Sequence, residues 1–340
     1  MTVQSPCVAV ENGEARETRR RADGVALVFL ATIAWSLGGV FTRLLQTDVL
    51  TAIAWRSFFG GVFLLIPYLA LHRRRSWIVF RAIGRAGLAL AACQVVCQAS
   101  TVGAFFLTSI ANVTLIYATA PFVAAGISWI WMGERMSART ALAGALSLIG
   151  VAVIVGGGVG AGHALGDFLA LVMTLSFAFV IIIPRRHSTL PMMPTTILSA
   201  FATTALFAPF GSAAAMALQD WVVLAGFGLT NFTVALFLFL HGARRIPAGH
   251  AALVGTLELV FAPLFVALLF GEIPSTMSLA GGGLILAVVL GHSLIELRGG
   301  SLSVPDQALP IGPGRDAGPP GEGPGEGGKL GIAQQQGDLG

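Results

Sequence analysis

The chain has 340 residues, 55% hydrophobic and only 11% charged, with a mean hydropathy of +0.83. Soluble domains carry about 25% charged residues, so water is excluded as the principal solvent and lipid is implied. The net charge of +4 does not point to nucleic acid, because the basic residues sit in short loops between apolar runs, with no basic stripe interleaved with aromatics.

Residues 1–22 are polar and place Glu11, Glu14 and Glu17 beside an arginine cluster. A cleavable signal would begin with a short, acid-free positive region. Residues 1–22 are therefore expected to be a cytoplasmic N-terminal segment, and the apolar run from Gly24 a retained span. A helix needs about 20 apolar residues to cross a bilayer. Ten runs qualify, at 24–43, 49–71, 86–107, 109–131, 138–157, 166–184, 193–213, 220–241, 246–270 and 276–296. Cys93 and Cys97 lie within the third run and Cys7 near the start, so no extracellular disulfide framework is implied. From Gly299 the chain turns rich in Gly and Pro. Residues 298–340 cannot bury enough surface to offset ordering entropy and are expected to be a disordered cytoplasmic tail. A regulatory or partner-binding role for it is the alternative.

Cytoplasmic loops carry excess Lys and Arg. With the N-terminus inside, 18 of the 20 basic residues fall on the inner side; Arg43 lies near an outside loop and Arg56 within a span. Losing or adding one span anywhere would break this alternation.

The halves repeat. Gly24 through Arg43 aligns with Gly166 through Arg185 at an offset of 142, and Gly133-Glu134 falls on Gly271-Glu272 at an offset of 138. Five spans per half insert the second half upside down. The expected fold is an all-α integral membrane protein of ten transmembrane helices in two inverted five-helix repeats, at 23–157 and 166–297. Both termini are expected to face the cytoplasm across the inner (cytoplasmic) membrane. Inverted repeats offer two near-equivalent packings, the basis of alternating access in many secondary transporters, although repeats also occur in membrane proteins that transport nothing.

The span map leaves two charges at membrane depth, Arg56 and Glu258. Such charges face a cavity or a partner. Arg56 could fix a substrate carboxylate, and Glu258 could attract an amine or exchange a proton; the alternative is a permanent ion pair between their helices. Ala251, Gly255 and Ala262 flank Glu258 on one helical face, which suits either a ligand or close packing. Gln94, Cys97, Gln98 and Thr101 form a polar stripe on the third span, able to bind a substrate or neighbouring helices. Trp35 could stack on a substrate or pack. Asn112, Tyr117 and Asn231 are further polar groups at depth, more often helix contacts than ligand contacts. His250 and His241, near inner span ends, could gate a proton or simply sit at the interface. Gly144, Gly150 and Gly281-Gly282-Gly283 indicate close backbone contact, suitable also for contact between the protomers of a homodimer. The cysteines have no nearby histidines and make a poor metal site. No cofactor is called for.

Several stretches resemble the drug/metabolite transporter superfamily, in particular its EamA-type branch: Ala34-Trp35-Ser36, Trp55-Arg56-Ser57-Phe58, Thr108 through Pro121 leading into Gly133-Glu134-Arg135, and Arg245-Ile246-Pro247-Ala248 through Glu258 into Gly271-Glu272. The resemblance covers residues 24–296. It implies export of a small amino-acid-like, nucleobase-like or drug-like solute, driven by a proton or solute gradient, with the two five-helix halves rocking about a midplane site. Leu259 stands where the family has proline after the acid, and the next proline is Pro263, so the helix break beside Glu258 is expected to shift by a turn. No GxxxxGK[ST], HExxH or GxSxG motif supports an ATP-driven pump or an intramembrane enzyme. A channel or a sensory membrane subunit is the alternative reading.

Overall fold

The structure, a computed structural model, describes residues 6–72, 83–134, 136–160, 163–187, 189–246 and 248–298. The expected Gly/Pro-rich tail beyond Arg298 lies outside these residues, as do Arg73, Arg74, Arg75, Arg81 and Arg135. The described residues are helical without strands. In chain order the helices are α1 (Pro6–Ser36), α2 (Gly38–Leu44), α3 (Val49–His72), α4 (Gly84–Leu107), α5 (Ile110–Tyr117), α6 (Ala120–Met132), α7 (Ala138–Gly160) and α8 (Ala164–Arg186). They continue with α9 (Met192–Phe207), α10 (Leu218–Gly228), a π-helical segment (Leu229–Val234), α11 (Ala235–Ala243), α12 (Ala248–Gly255), α13 (Glu258–Phe270) and α14 (Thr276–Arg298).

Among the described residues nine helical stretches are long and apolar enough to cross a membrane, and α14 adds the apolar stretch Thr276–His292. Four spans are broken: the first at Leu37, the fourth at Ala118-Thr119, the eighth by the π segment and the ninth at Thr256-Leu257. The fourth and ninth breaks stand 138 positions apart, the offset of the internal repeat. So do the left-handed glycines that end α6 and α13, Gly133 at φ 70° and Gly271 at φ 69°. The caps that follow repeat as well. Ser137 Oγ accepts from Thr140 N, and Ser275 Oγ accepts from Ser278 N, each at 3.1 Å.

The break beside Glu258 has not shifted. It lies directly before that residue, and Pro263 sits inside α13 without interrupting it. Proline is not its cause. Thr256 Oγ1 donates to Leu253 O at 2.7 Å, and Leu257, Leu259 and Val260 make tightened i→i−3 backbone bonds. In the fourth span Thr119 Oγ1 donates to Ile116 O, also at 2.7 Å. In both breaks a hydroxyl competes for a helix carbonyl.

The helices of the two halves pair with one another: α1 with α11, α4 with α8, α3 with α9, and α7 with α14. Helices of the two halves therefore interleave within one compact unit. The close pairing of α7 and α14 is made by glycine. A Cβ on Gly281 would stand 2.5 Å from Gly150 O, and one on Gly150 would meet Gly281 O at 2.7 Å. These two glycines thus serve contact within the chain, not between protomers. The largest core cluster, including Leu115, Ile116, Ile154, Met173, Leu259 and Ile285, draws on both halves.

Helix direction alternates, so Arg43, Thr108, Asp167, Asp220 and Glu272 gather at one end of the bundle, the Arg43 end. Glu134, Arg185 and Arg186 gather at the other. Asp48 joins the start of α3 to the loop after α9. It accepts from Thr51 N at 2.9 Å, Thr51 Oγ1 at 2.6 Å and Ser212 N at 3.2 Å. Burial raises the pKa of its carboxyl, but these bonds outweigh that effect and hold it below the ordinary carboxylate value.

Candidate functional site: an unpaired arginine, a helix break and two terminal ion pairs

Arg56 is 7% exposed. Its guanidinium lies over two aromatic faces, 4.5 Å from the Phe227 ring centre and 5.0 Å from that of Phe232. Two features bring these rings into place. Gly228 lets α10 approach α3 so closely that a Cβ there would stand 2.6 Å from Gly60 N. The π segment then adds a residue to the turn that carries Phe232, and such bulges recur at functional sites. Arg56 Nε and Nη1 are buried without a hydrogen-bond partner. Among the described residues Arg56 forms no ion pair with Glu258 or any other acid, so the inter-helix pair that the sequence allowed is not formed. Two rings stabilise a desolvated guanidinium by about 2 kcal/mol, yet they leave Nε and Nη1 without a hydrogen-bond acceptor.

Glu258 opens α13 directly after the ninth-span break and is half-buried, with no hydrogen-bond or ion-pair partner among the described residues. Tyr117, the last residue before the fourth-span break, packs edge-on against Phe177 at 5.0 Å, and its helix, α5, packs against α13. The continuous small-residue face expected around Glu258 is interrupted by the break. Ala251 and Ala262 are buried in separate clusters, while Gly255 faces open space.

Trp35 and Asn231 are brought together. Trp35 Nε1 donates to Asn231 O at 3.2 Å, and Asn231 Nδ2 donates to Ala34 O at 3.1 Å. The reciprocal pair ties the break of the first span to the π segment of the eighth. The glutamine stripe faces α9: Gln94 Nε2 donates to Thr196 Oγ1 at 3.1 Å and Gln98 Nε2 to Ser199 Oγ at 3.0 Å. Gln94 Oε1 remains buried without a partner. His250 is exposed. His241, also exposed, is 2.8 Å from Phe237 O.

Besides Arg56 and Glu258, two acids near span ends are buried: Asp167 and Asp220 are 0% and 4% exposed. Asp220 Oδ1 accepts from Gln46 N at 2.9 Å. Asp167 Oδ1 accepts from Thr108 Oγ1 at 2.7 Å and Asn112 Nδ2 at 3.0 Å. Asn112 Oδ1 in turn accepts from Ser278 Oγ. Both acids sit in the first turns of helices, where a span map reads them as boundary residues.

The ends of the bundle carry a second feature that residue spacing alone concealed. Arg43 Nε and Glu272 Oε2 are 2.8 Å apart, with side chains 23% and 24% exposed. Arg43 also donates to Phe105 O and Thr108 O, and Glu272 Oε1 accepts from Ile110 N at 3.0 Å. Arg185 and Glu134, which align with Arg43 and Glu272 by the repeat, form the corresponding pair at the other end. Their separation is 3.5 Å and their exposure 56% and 49%. The pair at the Arg43 end is the tighter one. It borders a cavity of about 340 Å³ lined also by Thr108, Asn112, His163 and Ser278.

The sequence profile of the EamA-like transporter family matches residues 22–156 and 164–294. An uncharacterized transporter of Archaeoglobus fulgidus is 28% identical over 277 residues, which span 78% of this chain and 95% of the relative. A protein of known crystal structure, 19% identical, shares the fold with a TM-score of 0.54 over 82% of this chain and 99% of its own. The apolar helices, their repeated breaks and caps and these likenesses agree: this multi-pass membrane protein is a transporter that belongs to the EamA-like transporter family.

Proposed function

We propose that the chain is a secondary transporter that exports a small organic solute across the cytoplasmic membrane by alternating access. The solute carries a carboxylate or similar anionic group and is amino-acid-like, nucleobase-like or drug-like. The observation that carries this reading is Arg56, a buried guanidinium held over two aromatic rings with Nε and Nη1 unpartnered. Such a group binds a planar anion bidentately. Glu258 and Tyr117, set at the two related breaks, supply the polar groups that exchange partners as the solute moves.

The arginine distribution supports cytoplasmic termini, which makes the Arg43 end external. Arg43–Glu272 and Arg185–Glu134 then act as outer and inner latches, with the outer one closed. Because helices of the two halves interleave, the moving bodies contain helices from both.

Untargeted metabolite profiling of cells and medium tests the proposal. Cells lacking the protein are compared with cells expressing it, its Arg56→Gln variant or its Glu258→Gln variant at equal membrane levels. A carboxylated solute enriched in the medium with the unaltered protein and absent with Arg56→Gln is the expected result. Equal export by Arg56→Gln would remove Arg56 from the site.

A further inference from the structure

We infer that the place where α1 enters the bundle and α11 leaves it, at the end away from Arg43, is a docking site for the headgroup of an anionic lipid. Arg19, Arg20 and Arg21 belong to α1, and Arg244 and Arg245 follow α11 in the other half of the chain. Two glycines bring these segments together. A Cβ on Gly24 would stand 2.8 Å from Arg245 Cβ, and one on Gly242 would stand 2.8 Å from Gly24 O. Val28, one turn further along α1, is buried in one cluster with Ile246 and so fixes the register. Arg20 and Arg21 precede Gly24 by four and three positions, so they continue the helix face that Gly24 turns towards Arg245. Arg19, Arg20, Arg21 and Arg244 are exposed, and Arg245 is half-buried.

The charge gathered here is not neutralised within the bundle. Among the described residues Arg19, Arg244 and Arg245 form no ion pair. Asp23 is the one acid in the stretches 19–24 and 241–246. Glu17, Glu14 and Glu11 fall about 10 to 20 Å further out along α1. The carboxyl end of α11 carries about half a negative charge, which offsets a small part of five guanidinium groups. Arg185 and Arg186, at the same end of the molecule, are engaged instead. Arg185 pairs with Glu134 at 3.5 Å. Arg186 Nη1 donates to Trp131 O at 3.2 Å, and its guanidinium lies 5.1 Å from the Trp131 ring centre.

A lipid fits this cluster better than a soluble anion, because an apolar strip continues it. Val25, Phe29 and Leu30 follow the arginines along α1 and are exposed on a span that faces hydrocarbon. Acyl chains lie against this strip, and the guanidinium groups stand about one turn above it, at the level of the phosphates. An arginine fork grips a phosphate bidentately, and basic pockets between helices hold anionic headgroups. A soluble anion would use the arginines alone. A lipid seated there joins a helix of the first half to a helix of the second.

The test is native mass spectrometry of the purified full-length protein titrated with dioleoyl phosphatidylglycerol or dioleoyl phosphatidylcholine, which needs no transported solute. Tighter binding of phosphatidylglycerol is the expected result. Each arginine near an anionic surface contributes about fivefold to affinity, so a chain carrying Arg19→Gln, Arg244→Gln and Arg245→Gln should bind phosphatidylglycerol about a hundredfold more weakly. A chain carrying Arg185→Gln and Arg186→Gln should bind it as the unaltered protein does. Lysine at positions 19, 244 and 245 keeps the charge and should retain the preference, which separates loss of charge from loss of fold. Equal binding of the two lipids would overturn the assignment, as would a triple glutamine variant with unchanged affinity. So would a lysine variant as weak as the glutamine one, or an equal loss in the Arg185/Arg186 variant. Displacement of the lipid by millimolar inorganic phosphate would also overturn it and make the cluster a site for a soluble anion.

Discussion

Arg43 and Glu272 stand 2.8 Å apart although 229 positions separate them, and their repeat counterparts Arg185 and Glu134 meet at the opposite end of the bundle at 3.5 Å. Each pair joins one half of the chain to the other. In an inverted repeat, whatever closes one end has a counterpart able to close the other. On the alternating-access proposal, the difference in distance and exposure between the pairs is that of a molecule latched at the Arg43 end.

Breaking the tight pair should open that end. Charge-assisted hydrogen bonds of partly buried groups stabilise by about 1.5–3 kcal/mol, so Glu272→Gln should shift the open population about tenfold or more. Labelling of a cysteine placed at Ser109, in a variant with Cys7, Cys93 and Cys97 replaced, by an impermeant maleimide reads this directly. Glu134→Gln, which removes a looser and more exposed pair, should change Ser109 labelling little. Equal effects of the two variants would contradict the asymmetry.

The glycines divide into two kinds with different expected costs. Gly133 and Gly271 have left-handed backbones, and a Cβ there meets nothing within 4 Å. Alanine at either should cost about 1–2 kcal/mol from backbone conformation alone, and similarly at both. Gly281 is helical but has no room beside Gly150 O. Gly281→Val must push α7 and α14 apart and should cost about 1–3 kcal/mol, with α14 losing protection in hydrogen exchange. Thermal unfolding of the three variants in one detergent compares them.

The positions of the spans were legible because apolar length is a property of each segment by itself. The arginine alternation fixed their number for the same reason. The repeat was legible in Gly133-Glu134 and Gly271-Glu272, but not what the glutamates touch, since their partners lie in the other half. Breaks were harder. Proline was the expected signal near Glu258, whereas the bend follows Thr256, whose hydroxyl takes a helix carbonyl. Trp35, Asn231, Tyr117 and Glu258 were each identifiable as polar or aromatic groups at depth. Their contacts depend on which helices meet, and that is decided by packing. Asp167 is hard to read from the sequence because an acid at the edge of an apolar run looks like a boundary residue.

Asp48 makes a prediction about pH with a definite sign. Its carboxyl lies below the ordinary value in the folded protein through bonds from Thr51 and Ser212. A depressed pKa contributes stability above the unfolded-state value, and that contribution is lost as pH falls through the folded-state value. Asp48→Ala should lower the melting temperature at neutral pH and flatten its decline on acidification. Solvent screens this mostly exposed carboxylate, so the difference should be small but should vanish at the acid end. Parallel melting curves at every pH would show that Asp48 does not contribute through its charge.

Arg56 offers the sharpest separation between a binding group and a packing group. Lysine keeps the charge but loses the flat guanidinium that lies over Phe227 and Phe232 and the fork that grips a carboxylate. A loss of about 1–2 kcal/mol of stacking and geometry corresponds to roughly tenfold weaker binding. Arg56→Lys should therefore raise the KM for the solute found by profiling about tenfold with the fold intact, and Arg56→Gln should abolish transport. Leucine at the same position fills the space between the rings without burying a charge. If Arg56 serves packing alone, Arg56→Leu should melt as high as the unaltered protein or higher and still transport, since removing an unpaired buried charge relieves a desolvation penalty. If Arg56 binds the solute, the same variant should be stable and silent. Stability measured beside transport in this one variant decides between the two roles.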